Sequence, residues 1–103
     1  MVIPYARRAL AAQQPALRVT AARALAILAA DAESALPHLA RALADSDVEV
    51  RVAVFEALGE FSERAAGFAP LIAERLTHAT TDEERAAAAD ALQNMEPDRD
   101  NDR

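Results

Sequence analysis

The sequence predicts an all-α fold, an α–α superhelix of six antiparallel helices, and three observations carry that prediction. Pro4, Pro37 and Pro70 recur every 33 residues, each followed six positions later by a leucine, Leu10, Leu43 and Leu76. At the same offset Arg18 answers to Arg51, Val19 to Val52, Ala24 to Ala57 and Leu25 to Leu58, so whole structural units recur, as in stacked helical arrays. The 103 residues are 52% hydrophobic but only 4% aromatic, with two glycines and no tryptophan, and alanine dominates the apolar fraction. That composition favours helices packed closely through small side chains over sheets, in a single domain.

Each unit reads as two helices, the first marked by its Val, Arg and Ala-Leu positions, the second entered near the repeated proline. The predicted helices span 4–12, 15–30, 34–44, 47–61, 67–78 and 82–95. Leu17, Ala21, Leu25 and Leu28 follow steps of four, four and three, and Val50, Val54, Leu58 and Phe61 repeat them, giving the core stripes of two equivalent first helices. The second helices carry Leu36, Leu39, Ala40 and Leu43, then Ala69, Ile72, Ala73 and Leu76. Proline suits their first turn, where no N–H is needed. Ser46 with Glu49 and Thr81 with Glu84 have the spacing of a capping box, while Gly59 marks a helix exit and Gly67 a loop.

The last helix fits a one-residue insertion, which gives Arg85 the place of Arg51, Leu92 that of Leu58 and Met95 that of Phe61. Glu84 then takes the place of Val50 and is expected to face water, as in a capping helix. In this register the chain opens on a second helix and closes on a first, as two half-units or as a piece of a longer array. The opening half-unit leaves Val2, Ile3 and Tyr5 seeking cover and offers a route to self-association. Residues 1–95 form the repeat domain. Residues 96–103, with Glu96, Asp98, Asp100 and Asp102 around Pro97, read as a disordered acidic tail.

The run from Leu43 to Gly59, Leu-Ala-Asp-Ser-Asp-Val-Glu-Val-Arg-Val-Ala-Val-Phe-Glu-Ala-Leu-Gly, resembles the HEAT-repeat signature, most closely its short bacterial form. The resemblance implies a HEAT-like solenoid in which the Asp of each turn meets the Arg of the first helix. It therefore suggests Asp47 with Arg51 and Asp82 with Arg85, and structural roles for Arg18, Arg51 and Arg85. Gln13 and Gln14 depart from the pattern where the acidic turn should stand, and Thr77 to Thr81 lengthens the last turn.

Chemistry is sparse. Absence of cysteine excludes disulfides and thiolate metal sites and fits a reducing, cytoplasmic compartment. All eleven basic residues are arginine, which excludes Schiff-base chemistry and hints at a bacterial origin. The first twelve residues lack the apolar core of a signal peptide or membrane span. Most of the Ser and Thr hydroxyls fall at helix starts or turns. His38 and His78 stand about two helical turns out of register, too far for a shared metal. No catalytic residue, cofactor or metal is expected, and the chain reads as a non-enzyme. Net charge of −6 disfavours nucleic acid and anionic membranes.

In HEAT-like stacks the second helices line the concave side, and their equivalent positions form rows. One row reads Tyr5, His38, Leu71, the next Arg8, Arg41, Glu74, and a third Ala9, Ala42, Arg75. These side chains are expected to face solvent. The mixture of aromatic, apolar and arginine groups suits a protein or peptide contact, whereas Glu74 interrupts any basic stripe for phosphates. The leading expectation is thus a scaffold or adaptor that binds a protein partner along this face through Tyr5, Arg8, His38, Arg41, Leu71, Glu74 and Arg75. The alternative is an accessory subunit of an enzyme, as the resemblance to bilin-lyase-type repeats implies.

Overall fold

The computed structural model describes residues 2–29 and 32–95, with the side chains of residues 2, 5 and 6 outside that description, as is the acidic tail expected from Glu96. Six α-helices follow the apolar periodicity: α1 (Val2–Ala9), α2 (Pro15–Ile27), α3 (Leu36–Ala42), α4 (Val48–Glu60), α5 (Ala69–Leu76) and α6 (Asp82–Met95). Short 3-10 turns, Glu33–Ala35 and Ser62–Phe68, lead into α3 and α5, and no strand occurs among the described residues. Pro15 opens α2, and Pro37 and Pro70 are the second residues of α3 and α5. At these positions the missing N–H would have had no intrahelical acceptor.

The first helices α2, α4 and α6 lie side by side in one layer, and α1, α3 and α5 pack respectively on α2, α4 and α6 to form the other. The molecule measures 45 × 31 × 17 Å, its thin dimension being that of two helix layers about 9 Å apart. Each second helix therefore pairs most closely with the first helix that follows it. In that pairing α1 is not left without a neighbour, and Ile3 is half-buried against the common core.

Helix α4 is the centre of the core. Val50, Val54, Phe55, Leu58 and, just beyond its end, Phe61 are fully buried, as are Leu25 of α2, Leu39 and Leu43 at α3, and Ile72 of α5. Leu17 departs from the expected stripe and is 50% exposed, because α2 is flanked by α4 on one side of its layer only. Ala73 is likewise exposed on α5.

The helix exits differ from the sequence reading. Gly59 lies inside α4 rather than ending it, and the chain leaves that helix through Ser62, the one described non-glycine residue with positive φ (55°). Gly59 instead serves the α4–α6 crossing. A Cβ there would stand 3.1 Å from Asn94 Nδ2 and 3.4 Å from Ala91 Cα, so the absent side chain lets the two backbones approach. Gly67 sits in the second 3-10 turn with open space around it. A large side chain at Gly59 must force α6 outward, and Gly59→Leu is expected to lower stability by about 2 kcal/mol in thermal or urea unfolding. Ser62→Gly relieves the left-handed backbone and should raise stability by about 0.5 kcal/mol in the same assay.

Candidate functional site

The turns joining each second helix to the next first helix lie along one edge of the molecule, and a ladder of arginines runs through them. Arg18 donates from Nε and Nη2 to both carboxylate oxygens of Asp45, at 2.7 and 3.1 Å, and from Nη1 to the carbonyls of Ala12 and Gln13. One unit further on, Arg51 repeats the pattern, with 2.6 and 3.1 Å bonds to Glu84 and one of 2.7 Å to the Asp45 carbonyl. Both forks are two-pronged and largely screened from water, the geometry in which an arginine–carboxylate pair is strongest.

These contacts revise the expected pairing. Arg51 binds the following unit rather than Asp47, whose side chain caps α4 by accepting from the Glu49 and Val50 N–H groups. Asp47, not Ser46, is therefore the N-cap of α4. Glu84 does not face water: it is 2% exposed and also accepts from the Thr80 N–H and hydroxyl. Thr81 performs half of its expected box, accepting from the Glu84 N–H. Asp82 and Arg85 do pair, on the exposed surface.

The electrostatics follow from these partners. The Arg51 hydrogen bonds outweigh burial at Glu84, and its carboxyl is held below the ordinary range while the Arg51 guanidinium is pushed up. At Asp45 burial opposes ionisation, but the Arg18 bonds, the Asp47 N–H and the charges of Arg18 and Arg51 together lower it. The ladder arginines are consumed in stacking unit on unit.

Between the turns lie two clefts with uncommitted cations. The first, of about 310 Å³ between α1 and α3, is lined by Arg7, Leu10, His38 and Arg41, with the already committed Asp45 at its margin. Arg41 Nη2 donates to His38 Nδ1 at 2.9 Å, which leaves the ring Nε2–H as a donor. The second, of about 180 Å³ between α3 and α5, holds Arg75 and His78 beside the Arg51–Glu84 pair. Arg7 Nε and Arg75 Nε are buried with no hydrogen-bond partner among the described residues.

The expected binding residues are thus only partly gathered. His38 and Arg41 share the first cleft, Arg75 lines the second, and Arg8 and Glu74 are exposed on the same layer. Leu71 is half-buried against the core rather than free, and His38 and Arg75 are also half-buried. The Tyr5 side chain lies outside the described residues. Arg7 joins the cleft although the repeat register matches its neighbour Arg8, not Arg7, to Arg41. Its signal was its place three residues before the core residue Leu10, which turns it toward the body of the stack.

A family model for HEAT repeats matches residues 3–93. The chain belongs to the HEAT-repeat family. No curated protein and no solved structure matches it. HEAT repeats generally mediate protein–protein interaction and are generally non-catalytic. Among the described residues no group of three or more His, Asp or Glu side chains is arranged to hold a metal ion, and no helix is long and apolar enough to cross a membrane.

Loss of the buried carboxylate leaves Arg51 desolvated and unpaired, so Glu84→Ala is expected to cost about 2–3 kcal/mol in chemical unfolding, whereas the double change R51M/E84L recovers most of that loss. Glu84 and Asp45 both keep their charge to lower pH when folded. Their contribution is therefore complete above the ordinary carboxylate range, about pH 4, and is lost as pH falls through the lower folded values. Urea titrations from pH 6 down to pH 2 should show this acid loss in the parent protein and a shallower one in Glu84→Gln.

Proposed function

We propose that this HEAT-repeat chain is a non-catalytic interaction module that receives a protein or peptide partner along its second-helix layer. The partner would lie across the ends of α1, α3 and α5, meeting Tyr5, Arg8, His38, Arg41, Leu71, Glu74 and Arg75, with Arg7 added to that set. The observation that supports this reading most directly is the contrast between two classes of arginine at one edge. Arg18 and Arg51 spend their guanidinium groups on carboxylates and carbonyls, whereas Arg7, Arg41 and Arg75 have no carboxylate partner among the described residues.

Cations at helix C-termini gain from the carbonyl dipoles, and Arg7, Arg41 and Arg75 all stand in last turns. That accounts for their tolerance there but not for the clefts they line. Arg7, Arg41 and the His38 ring converge as donors on one cavity, and Leu10 and Ala42 give it an apolar wall. Such a cleft suits the carbonyl or carboxylate of an inserted side chain beside a small apolar contact, the mixture found at the centres of protein interfaces.

Panning a random peptide library on the immobilised chain and titrating the enriched peptides by calorimetry tests the reading. Arg7→Ala with Arg41→Ala is expected to weaken those peptides at least about tenfold, the loss usual for central arginines. Unchanged affinities in a variant with parent thermal stability would rule the face out.

A further inference from the structure

The outer face of the other layer carries a second surface. Between α2 and α4 runs an apolar groove of about 430 Å³, floored by Ala26, Ala53 and Ala57 and bordered by Ile27. Ile27 is 84% exposed, the most exposed large apolar side chain among the described residues. The groove adjoins a second one of about 290 Å³ between α4 and α6, floored by Gly59, Ala87 and Ala91, with Glu56 and Glu60 forming the ridge between them.

Charge on this surface is one-sided. Glu56 and Glu60 border both grooves, and Glu83 and Asp90 line the far wall of the second. None of the four has an ion-pair or hydrogen-bond partner among the described residues. Among all residues lining the two grooves Arg23 is the single cation. Glu56 and Glu60 stand four apart on one helix, where like charges repel by a few tenths of a kcal/mol, so the face is held under its own field.

We propose that this first-helix face docks a basic amphipathic helix of a partner protein. Its apolar stripe would lie in the α2–α4 groove against Ile27 and the alanine floor, and its lysines and arginines would reach Glu56, Glu60, Glu83 and Asp90. The alanine and glycine floor lets a helix approach closely, and the row of first helices offers the ridges and grooves on which another helix seats. The sign of the charge selects the occupant. A second copy of this chain meeting it through the same face would set these carboxylates against their like. The surface is separate from the second-helix face, where Arg7, Arg41 and Arg75 have no carboxylate partner among the described residues.

The probe is a fluorescein-labelled peptide of leucine and lysine in amphipathic order, about five helical turns long, titrated by anisotropy at low and physiological salt. Binding is expected, together with induced helicity, and its glutamate-for-lysine counterpart is not expected to bind. Glu60→Gln with Asp90→Asn should weaken it about fivefold to tenfold, and Ile27→Ser by a similar factor at unchanged thermal stability. Glu33→Gln with Glu63→Gln makes the same change in net charge away from the grooves and should leave affinity within about twofold. Equal loss in the two charge-neutralising pairs, no effect of Ile27→Ser, or equal binding of the acidic peptide would overturn the proposal. So would concentration-dependent dimerisation abolished by Ile27→Ser, which would assign the face to a second copy. The Arg7 and Arg41 substitutions should leave lysine-peptide binding intact, so each surface can fail without the other.

Discussion

Everything in this molecule depends on how closely α4 can be approached from three sides. It is flanked by α2 and α6 in its own layer and covered by α3 from the other. Its own sequence answers each neighbour differently. Bulky Val50, Val54 and Leu58 are fully buried in the core, while Ala53 and Ala57 stand toward α2, and Phe55 and Gly59 toward α6. Dense packing in such a core tolerates little change of volume, and at the α4–α6 crossing Gly59 faces Ala91 and Asn94 with little room for a side chain.

Apolar stacking alone would leave the units free to slide or rotate on one another. The arginine ladder removes that freedom, since each guanidinium binds its own turn through carbonyls and the next unit through a carboxylate. A further tie comes from Arg64, which donates to the Ala29 carbonyl at 2.9 Å and stacks over the Phe61 ring, joining the connector after α4 to the end of α2. Directional bonds specify register, whereas the apolar contacts supply most of the cohesion. The same division leaves the molecule two-faced: cations not used by the ladder line the second-helix clefts, and carboxylates without partners rim the outer grooves.

Much of the fold was legible in the sequence because the 33-residue period repeats both the apolar stripe and its proline. The span 82–95 for α6 agrees with the structure, and the other helices differ at their ends by the width of a turn, where 3-10 geometry replaces α at 33–35 and 62–68. The ladder was visible as repeated arginines but not as a set of bonds, and of the three only Arg18 and Arg51 join it, since Arg85 meets Asp82 on the exposed surface. The resemblance to HEAT repeats suggests Asp47 for Arg51, whereas the stacking of units brings Glu84. Thr80 and Thr81, in the lengthened last turn, fix that choice. They hold Glu84 where it does for Arg51 what Asp45 does for Arg18, so a residue aligned with Val50 by number acts as a turn carboxylate in space. The outer grooves were not legible, because Ile27, Glu56 and Asp90 become neighbours of one surface only once first helices lie side by side.

The direction of the ladder also bears on how the protein comes into being. The carboxylate that neutralises Arg51 lies 33 residues downstream of it, and a ribosome adding about 5–20 residues per second takes about 2–7 seconds to deliver that stretch. Until that stretch is delivered Arg51 has no Glu84 to bind, and of its present partners only the carbonyl of its own turn has been made. Each carboxylate that completes a rung is thus made after its arginine, Asp45 after Arg18 and Glu84 after Arg51.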